Sequence, residues 1–444
     1  MKKYELFKSI LLFLLVTISG ILTWNLWTYQ PAYNEIENTE YIQQDITISP
    51  KRELEDHIRP VKVLYHEEGQ DYGSTSEEHI TKWMTEMKKW SFYNFRNVSS
   101  SIPKQEFLSF VHGKDSVEIV YPDEIPIQTF ELMFQVNEKS LPSIYFDHVV
   151  LKPNKGQGVD AYFIDYDHRK IYESSIKNLT REDLERINQG VKKEYDSYFP
   201  YKIKGIRTLF LPEGEIEINR IQYYTRKIET EKFRDALFSD PSYVKKKSSL
   251  SYSGDFYTDG SRILGVDSSI NVMDYVNPAI SNNRTMDSHT LLKRSFSFVN
   301  DHGGWTDAYR FASWNREEQE VVYRLYEDNY PVFNSQGMTE VFQRWGNNEI
   351  IQYRRPIYFF IKLPLDSYPV KLPPGDEIIE RIEEQQPEFN PSLLKDVVVG
   401  YELVQEDQES KVVSLEPAWY YLYNQQKWTK VEKKPIGGKW NGLE

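Results

Sequence analysis

The chain has 444 residues and a formal net charge of −13 at pH 7, so its surface should repel nucleic acids, and nucleic-acid binding is disfavoured. It contains no cysteine, which excludes disulfides, thiolate catalysis and cysteine-bound metal. A hydrophobic share of 39% and an aromatic share of 15% allow packed cores and favour β-sheets.

The first predicted element is a transmembrane helix over residues 9–29, after a short cytoplasmic N-terminus over 1–8. Ser9 to Trp27 has no ionisable side chain, and a helix of that length extends about 28 Å, close to the bilayer core. Lysines precede it and acidic residues follow it, which predicts a single-pass protein of the cell membrane with its bulk extracytoplasmic. The alternative is a cleaved signal peptide, but the apolar run is too long for one.

Two sets of residues in this helix are candidate contact sites. Thr17, Gly20 and Thr23 recur on one face, and small residues let helices approach closely in lipid. We therefore expect this face to pack against a partner helix, although a monomeric anchor with incidental small residues explains it equally well. The expected membrane-interface anchors are Trp24, Trp27 and Tyr29.

The remaining chain predicts an α+β fold with three extracytoplasmic domains on mainly antiparallel sheets, the last two alike. The expected parts are a stalk (30–60), an N-terminal exterior domain (61–200), a middle α+β domain (201–301), a C-terminal α+β domain (302–434) and a tail (435–444).

Alternation of apolar residues and turn signals locate the strands. Predicted strands cover 61–65, 116–121, 129–136, 159–165, 170–174, 206–211, 216–228, 252–258, 261–266, 307–314, 320–327, 339–345, 349–361, 397–404 and 412–423. Asp259-Gly260 is the strongest hairpin signal.

Capping residues locate the helices. Thr75 with Glu78 fits a capping box, and Thr180 with Asp183 fits a variant in which Asp replaces the usual Glu. Further helices are expected over 230–238, after the N-cap Asp287, and after Pro373. After the first box, a Trp and Met stripe at helical spacing predicts a core-facing helix rather than a ligand groove; it comprises Ile80, Trp83, Met84, Met87 and Trp90.

The chain lacks the compact motifs of nucleotide-binding, zinc-protease and serine-hydrolase sites. The best metal candidate is Asp165 with Asp167 and His168, but hairpin turns collect such residues for their own hydrogen bonds. Asp301-His302 with Ser295 or Ser297 is a weak candidate for nucleophilic catalysis. The sequence therefore predicts no catalytic residue, metal or cofactor, and favours a binding protein.

Two stretches resemble the YycH family of Gram-positive bacteria. One is Leu22 to Pro31 at the expected membrane exit; the other joins Gly400-Tyr-Glu402 to Leu415-Glu-Pro-Ala-Trp-Tyr420. The signature residues are Pro31, Gly400, Tyr401, Glu416, Pro417 and Trp419.

This resemblance implies a non-enzymatic regulator of the sensor histidine kinase WalK (YycG), which controls cell-wall metabolism, acting together with YycI. The family is described with three exterior domains, the last two alike, and offers no catalytic motif to carry over. Two other functions stay open: an extracytoplasmic sensor that binds cell-wall fragments, and an anchored extracytoplasmic hydrolase.

Overall fold

The structure is a computed structural model that describes residues 2–28, 48–248, 254–280, 285–346, 349–405, 410–424 and 427–432; side chains at 2, 3, 5, 6, 9, 10, 25–28, 191 and 192 are not described. The chain divides into two units, Met1–Asp45 and Ile46–Glu444.

The described part of the first unit is one helix, α1 (Lys2–Thr28), which overlaps the transmembrane helix predicted over 9–29. Among the described residues, no helix combines the length and the apolar character needed to cross a membrane. The transmembrane helix over residues 9–29 stays a prediction.

The second unit begins with a ten-stranded sheet whose strand order is β10-β9-β2-β1-β4-β6-β7-β8-β3-β5. Its strands are β1 (Lys62–Glu67), β2 (Gln70–Ser74), β3 (Ser91–Asn97), β4 (Ser116–Pro126), β5 (Gln135–Val136), β6 (Tyr145–Pro153), β7 (Gly158–Asp165), β8 (Lys170–Thr180), β9 (Asp196–Ile203) and β10 (Arg207–Pro212). Its helices are α2 (Glu77–Met87), α3 (Phe107–Val111), α4 (Ile127–Glu131) and α5 (Arg181–Glu194), with 3₁₀ turns at Leu54–Asp56, Ser99–Ser101 and Lys104–Glu106.

The rest of the unit builds a second, fourteen-stranded sheet, in the order β12-β13-β14-β15-β20-β19-β17-β18-β22-β23-β11-β21, with β16 on β17 and β24 on β23. Its strands are β11 (Ile216–Lys227), β12 (Lys245–Ser248), β13 (Asp255–Thr258), β14 (Ile263–Asp267), β15 (Val272–Val276), β16 (Tyr309–Asn315), β17 (Glu320–Glu327), β18 (Tyr330–Phe333), β19 (Glu340–Gly346), β20 (Glu349–Pro356), β21 (Tyr358–Leu372), β22 (Leu394–Gln405), β23 (Val412–Tyr423) and β24 (Thr429–Lys430). Its helices are α6 (Thr230–Leu237), α7 (Ser288–Asp301) and α8 (Gly375–Gln385), with 3₁₀ turns at Pro241–Tyr243 and Pro391–Leu393.

The predicted α+β class is confirmed, and sheets dominate it. Among the pairings of the described strands, only β3 with β5 and β18 with β22 are parallel. The division into three exterior domains, and the likeness of the last two, stay predictions.

A single cluster of buried apolar residues runs through both sheets and includes residues from Ile58 to Val431. The end of the segment predicted as a stalk is part of this core, because His57 and Ile58 are buried. Ser49 also donates from its backbone N to the Gly303 carbonyl at 3.1 Å.

Two of the local predictions are wrong. The N-cap of α2 is Ser76 rather than Thr75, and the Thr75 hydroxyl donates instead to the Tyr330 hydroxyl at 3.4 Å. The strand predicted over 129–136 is the helix α4 followed by the two-residue β5, because a turn of helix here buries Thr129 and Phe130 together.

Several other local predictions are confirmed. Thr180 and Asp183 form the capping box of α5, since the Asp183 N–H donates to Thr180 Oγ1 at 3.1 Å and the Thr180 N–H donates to Asp183 Oδ2 at 3.2 Å. Asp287 caps α7 by accepting from the Thr290 N–H at 3.0 Å. The apolar stripe of α2 and the following Trp90 are buried, as expected for a core-facing helix.

Candidate functional site

A cleft of about 920 Å³ in the second unit is lined by residues of both sheets. The first sheet and its loops line it with Glu118, Asp147, His148, Tyr166, Asp167 and Arg207, among others. The second sheet lines it with Trp314, Arg324, Phe333, Lys395, Tyr420 and Trp428, among others. This mixture of charged and aromatic groups suits a binding site for a polar molecule or a protein segment.

Glu118, one of the floor residues of this cleft, is a charged residue inside an apolar strand. β4 places it between Val117 and Ile119, and its side chain is 1% exposed. In the register of the sheet it lies opposite Leu64 of β1 and Val150 of β6. A buried carboxylate costs several kcal/mol unless hydrogen bonds or charges satisfy it, so its partners decide what this position does.

Strand register brings two histidines to Glu118 from either side. His66 lies two residues beyond Leu64 on β1, and His148 lies two residues before Val150 on β6, so both share the sheet face of Glu118 and approach it diagonally. A third histidine, His112, follows directly after the short helix α3.

All three imidazoles direct one nitrogen at the Glu118 carboxylate. Glu118 Oε2 lies 2.9 Å from His66 Nε2 and 2.8 Å from His112 Nδ1. Glu118 Oε1 lies 3.4 Å from His148 Nε2. We call His66, His112, His148 and Glu118 the histidine–glutamate cluster.

The other nitrogen of each imidazole faces an oxygen outside the cluster. His66 Nδ1 lies 2.7 Å from Asp71 Oδ1, and His112 Nε2 lies 2.9 Å from the Tyr166 hydroxyl. His148 Nδ1 lies 2.8 Å from Asp147 Oδ1, in an alignment that makes the contact an ion pair rather than a good hydrogen bond. His66 and His112 are therefore hydrogen-bonded at both ends, and His148 lies between two carboxylates.

Burial and charge act in opposite directions on these groups. Burial raises the pKa of Glu118, but the charges and hydrogen bonds of the three histidines outweigh it and hold that pKa well below its usual value. For His66 burial acts the other way and lowers the pKa, but the hydrogen bonds of His66 to Asp71 and Glu118 raise that pKa to about 9. Burial also lowers the pKa of His148 and of His112. At His148 the interaction with Asp147 outweighs burial, so the pKa is raised. At His112 burial prevails, so the pKa is lowered.

Ion pairs cross the cleft above this cluster and join the two sheets. Asp167 accepts from Arg207 Nη2 at 2.7 Å and lies 3.3 Å from Lys395 Nζ of β22. Glu124, in β4, accepts from Arg316 Nη2 at 3.0 Å. The two sheets are thus linked at two points by contacts between side chains of opposite charge.

Comparison with known proteins matches almost the whole chain to one family. The sequence model described as "YycH protein, N-terminal domain" matches residues 5–195, and that described as "YycH protein, C-terminal domain" matches residues 206–434. The chain belongs to the YycH family.

One curated member and one solved structure of the YycH family show how far the likeness extends. The chain is 25% identical over 437 residues to the "Two-component system WalR/WalK regulatory protein YycH" of Bacillus subtilis (strain 168), covering 95% of each chain. The crystal structure of YycH from Bacillus subtilis shares the fold, with a TM-score of 0.73 and 22% identity over 87% of this chain and 99% of that one.

The two parts of the C-terminal YycH signature, Gly400–Glu402 and Leu415–Tyr420, lie on the neighbouring strands β22 and β23. Gly400 of β22 pairs with Ala418 of β23, and Tyr401 pairs with Pro417. A Cβ atom at Gly400 would lie 2.5 Å from the Pro331 carbonyl oxygen, so only glycine fits there. This close approach allows β18 to pair with β22.

The other C-terminal signature residues fix neighbouring elements. The Tyr401 hydroxyl donates to the Asn219 carbonyl at 3.1 Å, and Trp419 Nε1 donates to the Pro373 carbonyl at 3.1 Å. Glu416 accepts from Arg220 Nε at 2.6 Å. These contacts give the YycH signature a packing role in the second sheet.

The residues predicted to contact a partner helix or the membrane interface lie in or after α1. The Thr17 and Thr23 hydroxyls donate within the helix, to the Phe13 and Ser19 carbonyls, both at 2.8 Å. A Cβ atom at Gly20 would meet no other atom within 4 Å. Trp24 is exposed; the Trp27 side chain, Tyr29 and Pro31 lie outside the described residues.

The structure separates members of both groups that the sequence offers as weak metal or catalytic candidates. Asp165 accepts from the His168 backbone N–H at 3.0 Å within the β7–β8 turn, while Asp167 faces Arg207. Ser295 is buried and shares a hydrogen bond of 2.6 Å with the Tyr323 hydroxyl, whereas Asp301 pairs with Lys51 on the surface. Ser295 and Asp301 therefore form no triad.

Sequence reasoning missed the histidine–glutamate cluster, whose four members come from separate elements. The available signal was Glu118 itself, an acidic residue at an inward position of the predicted strand 116–121. A charge at such a position requires partners, but the sequence does not name them.

Proposed function

We propose that this chain regulates a two-component signalling system by binding the sensor histidine kinase WalK (YycG), together with YycI, and that it catalyses no reaction. The supporting observation is the match of both YycH family models, which together extend over residues 5–195 and 206–434. The curated relative that covers 95% of this chain has a name that describes a WalR/WalK regulatory protein.

Regulation by binding requires that the chain bind one signalling state of the kinase better than the other. A preference of about 1.4 kcal/mol shifts that equilibrium tenfold, which is an ordinary allosteric magnitude. The crossed cleft of the second unit offers charged and aromatic groups for such a contact.

A second part of the proposal concerns α1. We place the chain in the cell membrane as a single-pass protein with a cytoplasmic N-terminus and an extracytoplasmic bulk, and this rests on the sequence from Ser9 to Trp27. The side chains from Leu11 to Trp24 are exposed in α1. The face of Thr17, Gly20 and Thr23 is then available for a partner helix.

The α1 contact is tested by adding bulk to one face at a time. Gly20→Leu with Thr23→Leu enlarges the small-residue face, and the control Ile18→Phe with Leu22→Phe enlarges the opposite face, because residues advance 100° around a helix. We expect the first pair to weaken two-hybrid association with WalK or YycI at least tenfold and the second pair to leave it unchanged. Equal effects of both pairs, or no effect of either, would refute the role of that face.

The membrane location has its own test. Alkaline phosphatase fused after residue 60 is active only outside the cytoplasm, so we expect activity from that fusion and none from a fusion after residue 8. Recovery of a processed, freely secreted chain as the working species would contradict the anchor.

The cleft favours a second candidate function, a sensor that binds cell-wall fragments. Its volume of about 920 Å³ and its aromatic lining at Trp314, Tyr420 and Trp428 suit a sugar-containing ligand. Calorimetry with soluble peptidoglycan fragments tests this reading, and Trp428→Ala should then abolish the signal. The same titration followed by product analysis tests whether the chain is a hydrolase. That function requires turnover of the fragments by the parent chain and loss of turnover in Glu118→Gln.

A further inference from the structure

We propose that His66, His112 and Glu118, with His148 as a fourth ligand, form a binding site for a divalent transition-metal ion, and that the ion is zinc. This goes beyond the proposed regulatory function and does not depend on it. The ligands are one carboxylate and three imidazoles, which zinc binds readily in proteins.

The positions of the donor atoms are the first observation. The ligand atoms of His66, His112 and Glu118 all lie within 4.8 Å of one another. Two atoms bound to one tetrahedral zinc ion are about 3.3 Å apart. The contacts of Glu118 with His66 and His112, at 2.9 and 2.8 Å, are therefore only about half an ångström shorter than that spacing, and its contact with His148, at 3.4 Å, matches it.

The outer contacts of the imidazoles are the second observation. A metal-bound histidine usually donates its other N–H to a carboxylate or another oxygen, which fixes the ring and its tautomer. Asp71 faces the outer nitrogen of His66, the Tyr166 hydroxyl faces that of His112, and Asp147 faces that of His148. This places a hydrogen-bonded oxygen behind His66 and His112, and a carboxylate in ion-pair contact behind His148.

Local charge is the third observation. Among the ion pairs of the described residues, those of Glu118 are all with histidines, so no lysine or arginine occupies the position of the ion. When the inner nitrogens carry protons, they donate to Glu118 and hold the cluster together. A zinc ion would replace those protons at the same atoms, and its two charges would balance Glu118 and Asp71.

The cluster borders the cleft on one side and an aromatic ring on another. Glu118, His148, Tyr166 and Phe210 line the cleft. Phe210 also packs on the rings of His66 and His112, each at 4.9 Å between centroids. An apolar wall of this kind strengthens metal–ligand interactions because it excludes competing water.

A second group of possible metal ligands differs from the histidine–glutamate cluster in its charged neighbours. Glu124, Asp165 and His168 also converge. However, Arg316 lies 3.0 Å from Glu124, Lys170 lies 3.8 Å from Asp165, and the His168 side chain is 54% exposed. Cations already neutralise these carboxylates, so this group serves as an internal control.

The test is zinc binding by the purified full-length chain after removal of metals with a chelator. We expect one zinc ion per chain by calorimetry, a rise of the melting temperature on adding zinc, and tetrahedral visible bands when cobalt replaces zinc. His112→Gln should abolish the cobalt bands and the zinc-dependent rise. His168→Gln should bind as the parent chain does.

A further variant separates binding from folding. Asp71→Asn leaves all ligands in place and should weaken zinc affinity about 10–100-fold, as loss of an outer hydrogen-bond acceptor does in known sites. If His112→Gln does not fold, the zinc affinity of Asp71→Asn decides whether the cluster binds zinc. Absence of stoichiometric zinc binding by the parent chain, or zinc affinity unchanged in Asp71→Asn and in a folded His112→Gln, would overturn the proposal and leave the cluster as a hydrogen-bonded network.

Discussion

Arg310 of β16 donates to Glu77 of α2 through Nη2 and Oε2 at 2.7 Å, which joins the second sheet to the first helix of the other half. Arg310 also donates to Asn329 Oδ1. The Asn329 amide in turn donates to the Val61 and Thr75 carbonyls at 3.2 and 2.7 Å. Asn329 is therefore a shared hydrogen-bond partner of segments from both halves.

We predict that Asn329→Ala lowers the free energy of unfolding by about 2–4 kcal/mol more than Asn178→Ala does, because several buried hydrogen bonds are lost at one site. Both residues have left-handed backbones, with φ of 64° and 68°, so the backbone cost of the substitution cancels. Asn178 is exposed and makes one weak hydrogen bond of 3.4 Å. Urea unfolding of both variants measures the difference, and equal losses would contradict the role of Asn329.

A second prediction concerns pH and His57. This residue is buried against Trp305, at 4.0 Å between ring centroids, and burial lowers its pKa to about 3 despite a hydrogen bond to the Tyr309 carbonyl. His57 takes up a proton near pH 6.5 in the unfolded chain, but only near pH 3 in the folded chain. The stability that neutral His57 provides is thus fully present above pH 6.5 and is lost as pH falls through this window.

His57→Gln should flatten the acid side of the pH–stability curve, by about 3–5 kcal/mol over the whole window. His168→Gln is the control, since its side chain is 54% exposed and its pKa is shifted in the opposite direction, upward, by its bond to Asp165. Thermal unfolding from pH 7 to pH 4 provides the curves. An unchanged acid slope in the His57 variant would show that other groups cause the loss.

A third prediction concerns Gly400, where an added methyl group has no room. Its Cβ would lie 2.5 Å from the Pro331 carbonyl oxygen and 2.8 Å from the Phe333 ring. Gly400→Ala should therefore cost about 2–3 kcal/mol, as overpacking of a core does. At Gly214 nothing lies within 4 Å of an added Cβ. Gly214→Ala should change stability by less than about 1 kcal/mol in the same denaturation experiment.

A fourth prediction compares two helix caps. Thr180 and Asp183 bond to each other's backbone at the start of α5, whereas the N-cap Ser76 of α2 makes no capping hydrogen bond through its side chain. Thr180→Ala should lower stability by about 1 kcal/mol, and Ser76→Ala should lower it by clearly less. Equal costs would show that the reciprocal bonds add nothing.

These two caps also show what local sequence can reveal. Both start signals were visible, and both helices exist, because capping side chains and apolar periodicity act within one element. The sequence did not identify the N-cap residue of α2, because the Thr75 hydroxyl bonds to Tyr330, which is distant in the chain. The strand predicted over 129–136 failed for a related reason, as tertiary burial of Phe130 favoured a turn of helix.

The histidine–glutamate cluster depends entirely on such distant pairing. Alternation predicted a strand over 116–121, which contains Glu118, and one over 61–65, which ends just before His66, but it predicted none at His148. The register that sets Glu118 opposite Leu64 and Val150 is a property of the assembled sheet. His112 reaches the carboxylate from a short helix that periodicity does not detect. The family signature behaved differently: its two C-terminal stretches were found in sequence, and their pairing explains why both are needed.

We propose that this chain acts by biasing the kinase WalK. The most direct measurement is the phosphorylated fraction of WalR in cells that lack the chain, in cells that express it, and in cells that express Gly20→Leu with Thr23→Leu. We predict a change of about fivefold or more on deletion, restored by the parent chain and not by the variant. A phosphorylated fraction that is the same in all three strains would contradict the account.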